Sequence, residues 1–61
     1  MRIIKSVIQS LDKGDGVPFT DICLEAKRMH GLERQEVGKA LTHLMKDGQI
    51  YYPRIGVYKV V

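Results

Sequence analysis

Residues 40–52, Ala40-Leu41-Thr42-His43-Leu44-Met45-Lys46-Asp47-Gly48-Gln49-Ile50-Tyr51-Tyr52, change period in the middle, and that change decides the fold. Up to Asp47 the apolar side chains recur at helical spacing. Val37, Ala40, Leu41, Leu44 and Met45 make one core face of a helix that begins at Glu33 or Arg34. Gly48 stands just past its end, where a left-handed residue commonly stops a helix. Beyond Gly48 the pattern alternates. Gln49–Tyr52 and Val57–Val61 read as two strands, with Pro53-Arg54-Ile55-Gly56 as their connection. If Lys59 faces solvent, Tyr58 and Val60 face inward.

Upstream, Ile3, Ile4, Val7, Ile8 and Leu11 mark a first helix over Arg2–Lys13, with Lys5, Gln9, Asp12 and Lys13 on its other side. Gly14-Asp15-Gly16 ends it, and Val17-Pro18-Phe19 is expected to be extended, as a very short edge strand. Thr20 is placed to cap a second helix, with Asp21 near its positive end, Ile22, Ala26 and Met29 as its buried stripe, and Gly31 as its stop. Leu24 points away from that stripe. A hairpin alone is marginal in water and needs an apolar surface to lie on. Three amphipathic helices joined by short turns supply one, with Leu32 plugging the turn between the second and third. The expected fold is therefore mainly α with a small β-hairpin (α+β), a winged helix-turn-helix of three helices and a two- or three-stranded wing. One such domain spans residues 1–61.

The composition agrees. At 44% hydrophobic and 28% charged the chain is too apolar for disorder. A core of this size supplies roughly 3–5 kcal/mol, leaving little surplus for a strained catalytic site. The net charge of +3 is slight and spread: residues 1–32 carry five cations and four anions, residues 33–61 five and three. That is compatible with an anionic partner without demanding one. The lone Cys23 permits no internal disulfide, which favours an intracellular home. No apolar run approaches the roughly 18–20 residues of a membrane span, so a soluble protein is expected.

Residues 31–56 also carry a family resemblance. Gly31-Leu32, then Val37, Leu41 and Leu44, then Gly48-Gln49-Ile50-Tyr51-Tyr52-Pro53-Arg54-Ile55-Gly56 resemble the C-terminal winged helix of minichromosome maintenance (MCM) replicative helicases, archaeal ones in particular. The Gly-x-Ile-Tyr-x-Pro-x-x-Gly run is its most specific part. Tyr52 stands where that family would be expected to have an acidic residue, and Ile55 where a second proline is common. The resemblance implies an accessory domain that modulates an ATP-driven motor lying elsewhere in such proteins, with DNA, a neighbouring helicase domain or replication proteins as partners. The isolated domain is expected to be a monomer. A protein-interaction winged helix and a free-standing transcription regulator are the other readings. A regulator would normally dimerise to match a two-fold operator, and no extra dimerisation helix stands out.

The candidate nucleic-acid-binding residues are Gln35, Lys39, Thr42 and Lys46, which fall within roughly 60° of one another on the third helix, and Arg54 on the wing with Tyr52 and Lys59 nearby. Gln and Thr can bond base edges, and Lys and Arg can neutralise phosphate. The same stripe also reads as an ordinary solvated face, flanked by Glu36 and Asp47. Gly38, a costly residue inside a helix, is explained by close packing of a neighbouring helix in preference to approach of a DNA backbone. Leu24 and Tyr51 would make a protein-contact patch if adjacent. Val37-Gly38-Lys39-Ala40 fails as a phosphate loop, because Glu33 and Ala40 replace the required Gly and Ser/Thr. Cys23 and His30 lie about 10.5 Å apart along a helix, too far for shared zinc ligation. No catalytic residues, no metal and no cofactor are expected.

Overall fold

The computed structural model describes residues 2–61. Its elements are α1 (Arg2–Leu11), β1 (Val17–Pro18), α2 (Phe19–His30), α3 (Arg34–Lys46), β2 (Ile50–Arg54) and β3 (Val57–Val60). The strands form one antiparallel sheet in the order β1-β3-β2. This is an α+β winged helix, with the wing at its three-stranded limit.

Helix α1 stops at Leu11, two residues before the expected end. Asp12 turns its carboxylate onto the following loop, where Oδ1 accepts from the backbone N–H of Gly14 at 2.7 Å and of Gly16 at 2.9 Å. Those two bonds hold its pKa below the usual carboxylate value, with Lys59 adding a smaller pull the same way. The loop has to be tight. A Cβ on Gly16 would sit 2.6 Å from Val57 Cγ1 and 3.0 Å from the Tyr58 carbonyl oxygen, and its φ of +87° suits glycine alone. The loop delivers β1 to β3, pairing Val17 with Tyr58 and Pro18 with Val57.

Helix α2 begins two residues earlier than a Thr20 cap would have it. Phe19, expected as extended chain, is its first residue and Pro18 its N-cap, without a side-chain cap. The wing substitutes for the cap, because the Phe19 N–H donates to the Gly56 carbonyl at 2.9 Å. At the other end Gly31 adopts φ +66° and ends the helix as expected. Met29 corrects the predicted stripe, for it is 56% exposed. The α1 residues beside it are Ser6, Val7 and Ser10, and the two small serines leave it uncovered. Cys23, half-buried against the core, takes the third place beside Ile22 and Ala26.

Helix α3 is fixed at its start by Glu33 and Glu36. Each side chain accepts from the other residue's backbone N–H, a capping box built on Glu where Ser or Thr is usual. The buried core comprises Ile4, Val7 and Ile8 of α1, Val17, Ile22 and Ala26, then Val37, Ala40, Leu41 and Leu44 of α3, and finally Ile50 and Tyr58 from the wing. Leu11, Leu32, Met45 and Val60 pack around it, partly buried. The chain leaves α3 through a bond from the Gln49 N–H to the Leu44 carbonyl at 2.9 Å, which sets Ile50 directly into the core.

The wing is longer than expected. Pro53 and Arg54 belong to β2, not to the connection, and only Ile55-Gly56 remains as the turn. The pairing slips between Tyr51↔Lys59 and Arg54↔Val57. Pro53 lies in that slip, on an edge strand, where its missing N–H costs no ladder bond.

Candidate nucleic-acid interface

Helix α3 carries Gln35, Lys39, Thr42 and Lys46 on its exposed side, in one unbroken run of thirteen residues. Their spacing places Lys39 and Lys46 about 10.5 Å apart along the axis. Neither lysine has a carboxylate partner among the described residues, where the one ion pair is Arg28 with Glu25 on α2. Glu36, expected to weaken this stripe, is turned to the start of the helix by the capping box. Thr42 is less free than it looked. Its Oγ1 donates to the Gly38 carbonyl at 3.0 Å, so toward a base it offers an acceptor and a methyl group.

Gly38 overturns its own reading. A Cβ there would meet nothing within 4 Å, so no neighbouring helix requires the glycine. It leaves a shallow gap in the exposed face of α3, between the flanking Gln35, Lys39 and Thr42.

Arg54 ends β2 beside the turn and is exposed. Lys59 is not its companion. Its Nζ donates to the carbonyl of Gly14 in the loop before β1. The residues that do share a groove with Arg54 are Phe19, Tyr52, Ile55, Gly56 and Tyr58. There the Tyr52 and Tyr58 hydroxyls lie 3.0 Å apart and the two rings 4.8 Å between centroids. Burial, and then the bond to Tyr52, push the Tyr58 phenol up to about 12. Lys5, on α1, spends its charge on Gln49 Oε1 at 3.2 Å, on the packed side of the molecule.

The elements now stand in an order that a known family shares: helix, short strand, helix, turn, helix and a two-stranded wing with Gly48, Tyr51, Pro53 and Gly56 along it. The family model of the MCM protein C-terminal winged helix-turn-helix domain matches residues 1–61. The chain belongs to that family. No curated protein and no solved structure matched it. The match also covers the first thirty residues, outside the 31–56 stretch that carried the resemblance.

A winged helix of the MCM type is not in itself a catalytic domain. No group of three or more His, Cys, Asp or Glu side chains gathers as a metal site among the described residues. No helix there is long and apolar enough to cross a membrane. Sequence reasoning missed Arg34 and the exposed apolar side chains around it. Leu24 was flagged together with Tyr51, whereas the tyrosine that lines the groove with Phe19 and Arg54 is Tyr52, on the Ile50 side of the strand.

Proposed function

We propose that this chain is the accessory domain of a replicative helicase, acting by contact and not by chemistry. It modulates a motor carried on another segment and touches DNA weakly, without sequence preference, through Lys39, Lys46 and Arg54 on phosphate and Gln35 and Thr42 beside them. The observation that carries this reading is the run of exposed polar residues on α3, whose two lysines have no acidic partner among the described residues. The open gap at Gly38 supports it, since a phosphate backbone can come close to α3 where no side chain stands. In a helix-turn-helix this is the helix that enters the major groove. The domain acts inside the cell, as a monomer.

The test is a fluorescence titration of duplex DNA at several salt concentrations. Three to five phosphate contacts give a log–log salt slope of about −3 to −5, at roughly −0.9 per contact. A scrambled duplex binds equally well. A flat salt dependence, or strong preference for one short sequence, would overturn the reading.

A further inference from the structure

Two apolar grooves meet at Phe19. The larger, about 620 Å³, is lined by Phe19, Tyr52, Arg54, Ile55, Gly56 and Tyr58. The smaller, about 270 Å³, runs along α2 and is lined by Phe19, Thr20, Cys23, Leu24 and Arg34. They share Phe19 as a wall, one reaching toward the wing turn and the other along α2. Leu24 is 69% exposed and Ile55 entirely so, although the core of this small domain could use apolar area. Burial also pushes the Cys23 thiol up, against a smaller downward pull from Arg34, so this wall of the groove stays neutral. No carboxylate lines either groove, and both carry an arginine, Arg34 in one and Arg54 in the other.

We infer that this surface docks a partner protein through an acidic amphipathic helix, its apolar side chains in the two grooves and its carboxylates on Arg34 and Arg54. The charge selects the sign of the partner. The aromatic faces select a protein over an unpaired nucleic-acid strand. Bases stack on open ring faces, and here each ring already has a neighbour against one side. Tyr52 and Tyr58 lean on each other, and the Arg34 guanidinium lies 5.4 Å from the Phe19 ring centroid. The most exposed apolar groups along the grooves are the aliphatic Leu24 and Ile55, which suit leucine-like anchors spaced i, i+3, i+4 and i+7 along a helix. The surface shares only Arg54 with the residues proposed to contact DNA, so its test leaves Lys39 and Lys46 untouched.

The probe is a synthetic helical peptide with leucines at i, i+3, i+4 and i+7 and glutamates flanking them, set against a twin with lysines for the glutamates. Binding is followed by amide chemical shifts of the isotope-labelled 61-residue chain. The acidic peptide is expected to saturate shifts at Cys23, Leu24, Arg34 and Ile55, and the lysine twin to bind at least about tenfold more weakly. Leu24→Asp and Ile55→Asp each weaken binding about tenfold, as removal of a buried anchor does, with melting temperatures unchanged because both side chains are exposed. Arg34→Gln weakens it severalfold at low salt and less at high salt. Equal binding of the two twins, saturation confined to the Lys39 and Lys46 face, no binding of the acidic peptide, or an oligonucleotide saturating the same groove residues would overturn the inference. So would a concentration-dependent dimer that occupies the groove without any peptide.

Discussion

Ile4, Ile8, Leu41 and Leu44, where α1 packs on α3 beneath the wing, are at most 2% exposed, whereas Leu24 and Tyr52, along α2 and the wing, are 69% and 50% exposed and Ile55, at the wing turn, entirely so. Both sets are large and apolar, and both belong to a chain with only about 3–5 kcal/mol of stability to hold it together. The first set supplies that stability by leaving water. The second contributes far less to folding, so its residue types are freer to answer to whatever meets the surface. Charge divides the same way. Lys5 on the packed side is tied to Gln49, while Lys39 and Lys46 on α3 have no carboxylate partner among the described residues. The packed groups hold the shape, and the exposed ones are left open for contact.

The largest effect expected from this contrast is on stability. Leu44→Ala removes a side chain that is 1% exposed where α3 meets the wing, at a cost of about 2–5 kcal/mol, comparable to the whole stability of the domain. Ile55→Ala, at the fully exposed turn, changes stability by less than about 0.5 kcal/mol. Urea melts of the two variants read both directly. Similar losses would erase the contrast between the two sets.

A smaller effect sits at the boundary between them. Tyr58 is buried at its ring, yet its hydroxyl meets Tyr52 in the open groove, and its pKa stands at about 12. The unfolded chain releases that proton near pH ~10. Stability from the raised pKa is therefore fully present below about pH 10 and is lost as pH rises through about 12. Tyrosinate absorbance should show one late-titrating group. Tyr52→Phe should move it down only part of the way, because burial is the larger cause. Return to an ordinary value on that substitution alone would place Tyr58 in the open region.

The smallest is a gain. Gly38→Ala fills open space on a helix, so it should stabilise the fold by about 0.5–1 kcal/mol. If the gap admits a phosphate backbone, the same variant binds DNA less tightly. A destabilised variant would mean that a neighbour does pack there.

Much of this division was legible in the residues. The change of period at Gly48 located α3 and the wing, and the apolar spacing of Ile4, Ile8, Leu41 and Leu44 located the core, because burial imposes those periods. What escaped the sequence depended on what lies opposite. Met29 continues the α2 stripe faithfully, but Ser6 and Ser10 leave it bare. Phe19 could join α2 because the Gly56 carbonyl, 37 residues away, takes its N–H. The slip that draws Pro53 and Arg54 into β2 has no sequence signature beyond the proline itself. One signal was present and unread. An inward Ile50 puts Tyr52 on the same side of the strand, so Tyr52, not Tyr51, belonged with the groove. For the α3 stripe, helical spacing marked the face, and the structure added its exposure and, among the described residues, its lack of ion pairs.

DNA binding is the most direct test of the central claim, that α3 and the wing make the contact and the packed side only supports them. Duplex DNA is titrated at two salt concentrations with the wild-type chain and with Lys39→Glu, Lys46→Glu, Arg54→Glu and Lys5→Glu. The Lys5 reversal is a fair control, because the Gln49 amide can turn its NH₂ toward a carboxylate. Each of the first three should weaken binding and flatten the salt slope by about one, while Lys5→Glu leaves the slope unchanged. Equal losses for all four variants, or a larger loss for Lys5 than for Lys39, would contradict it.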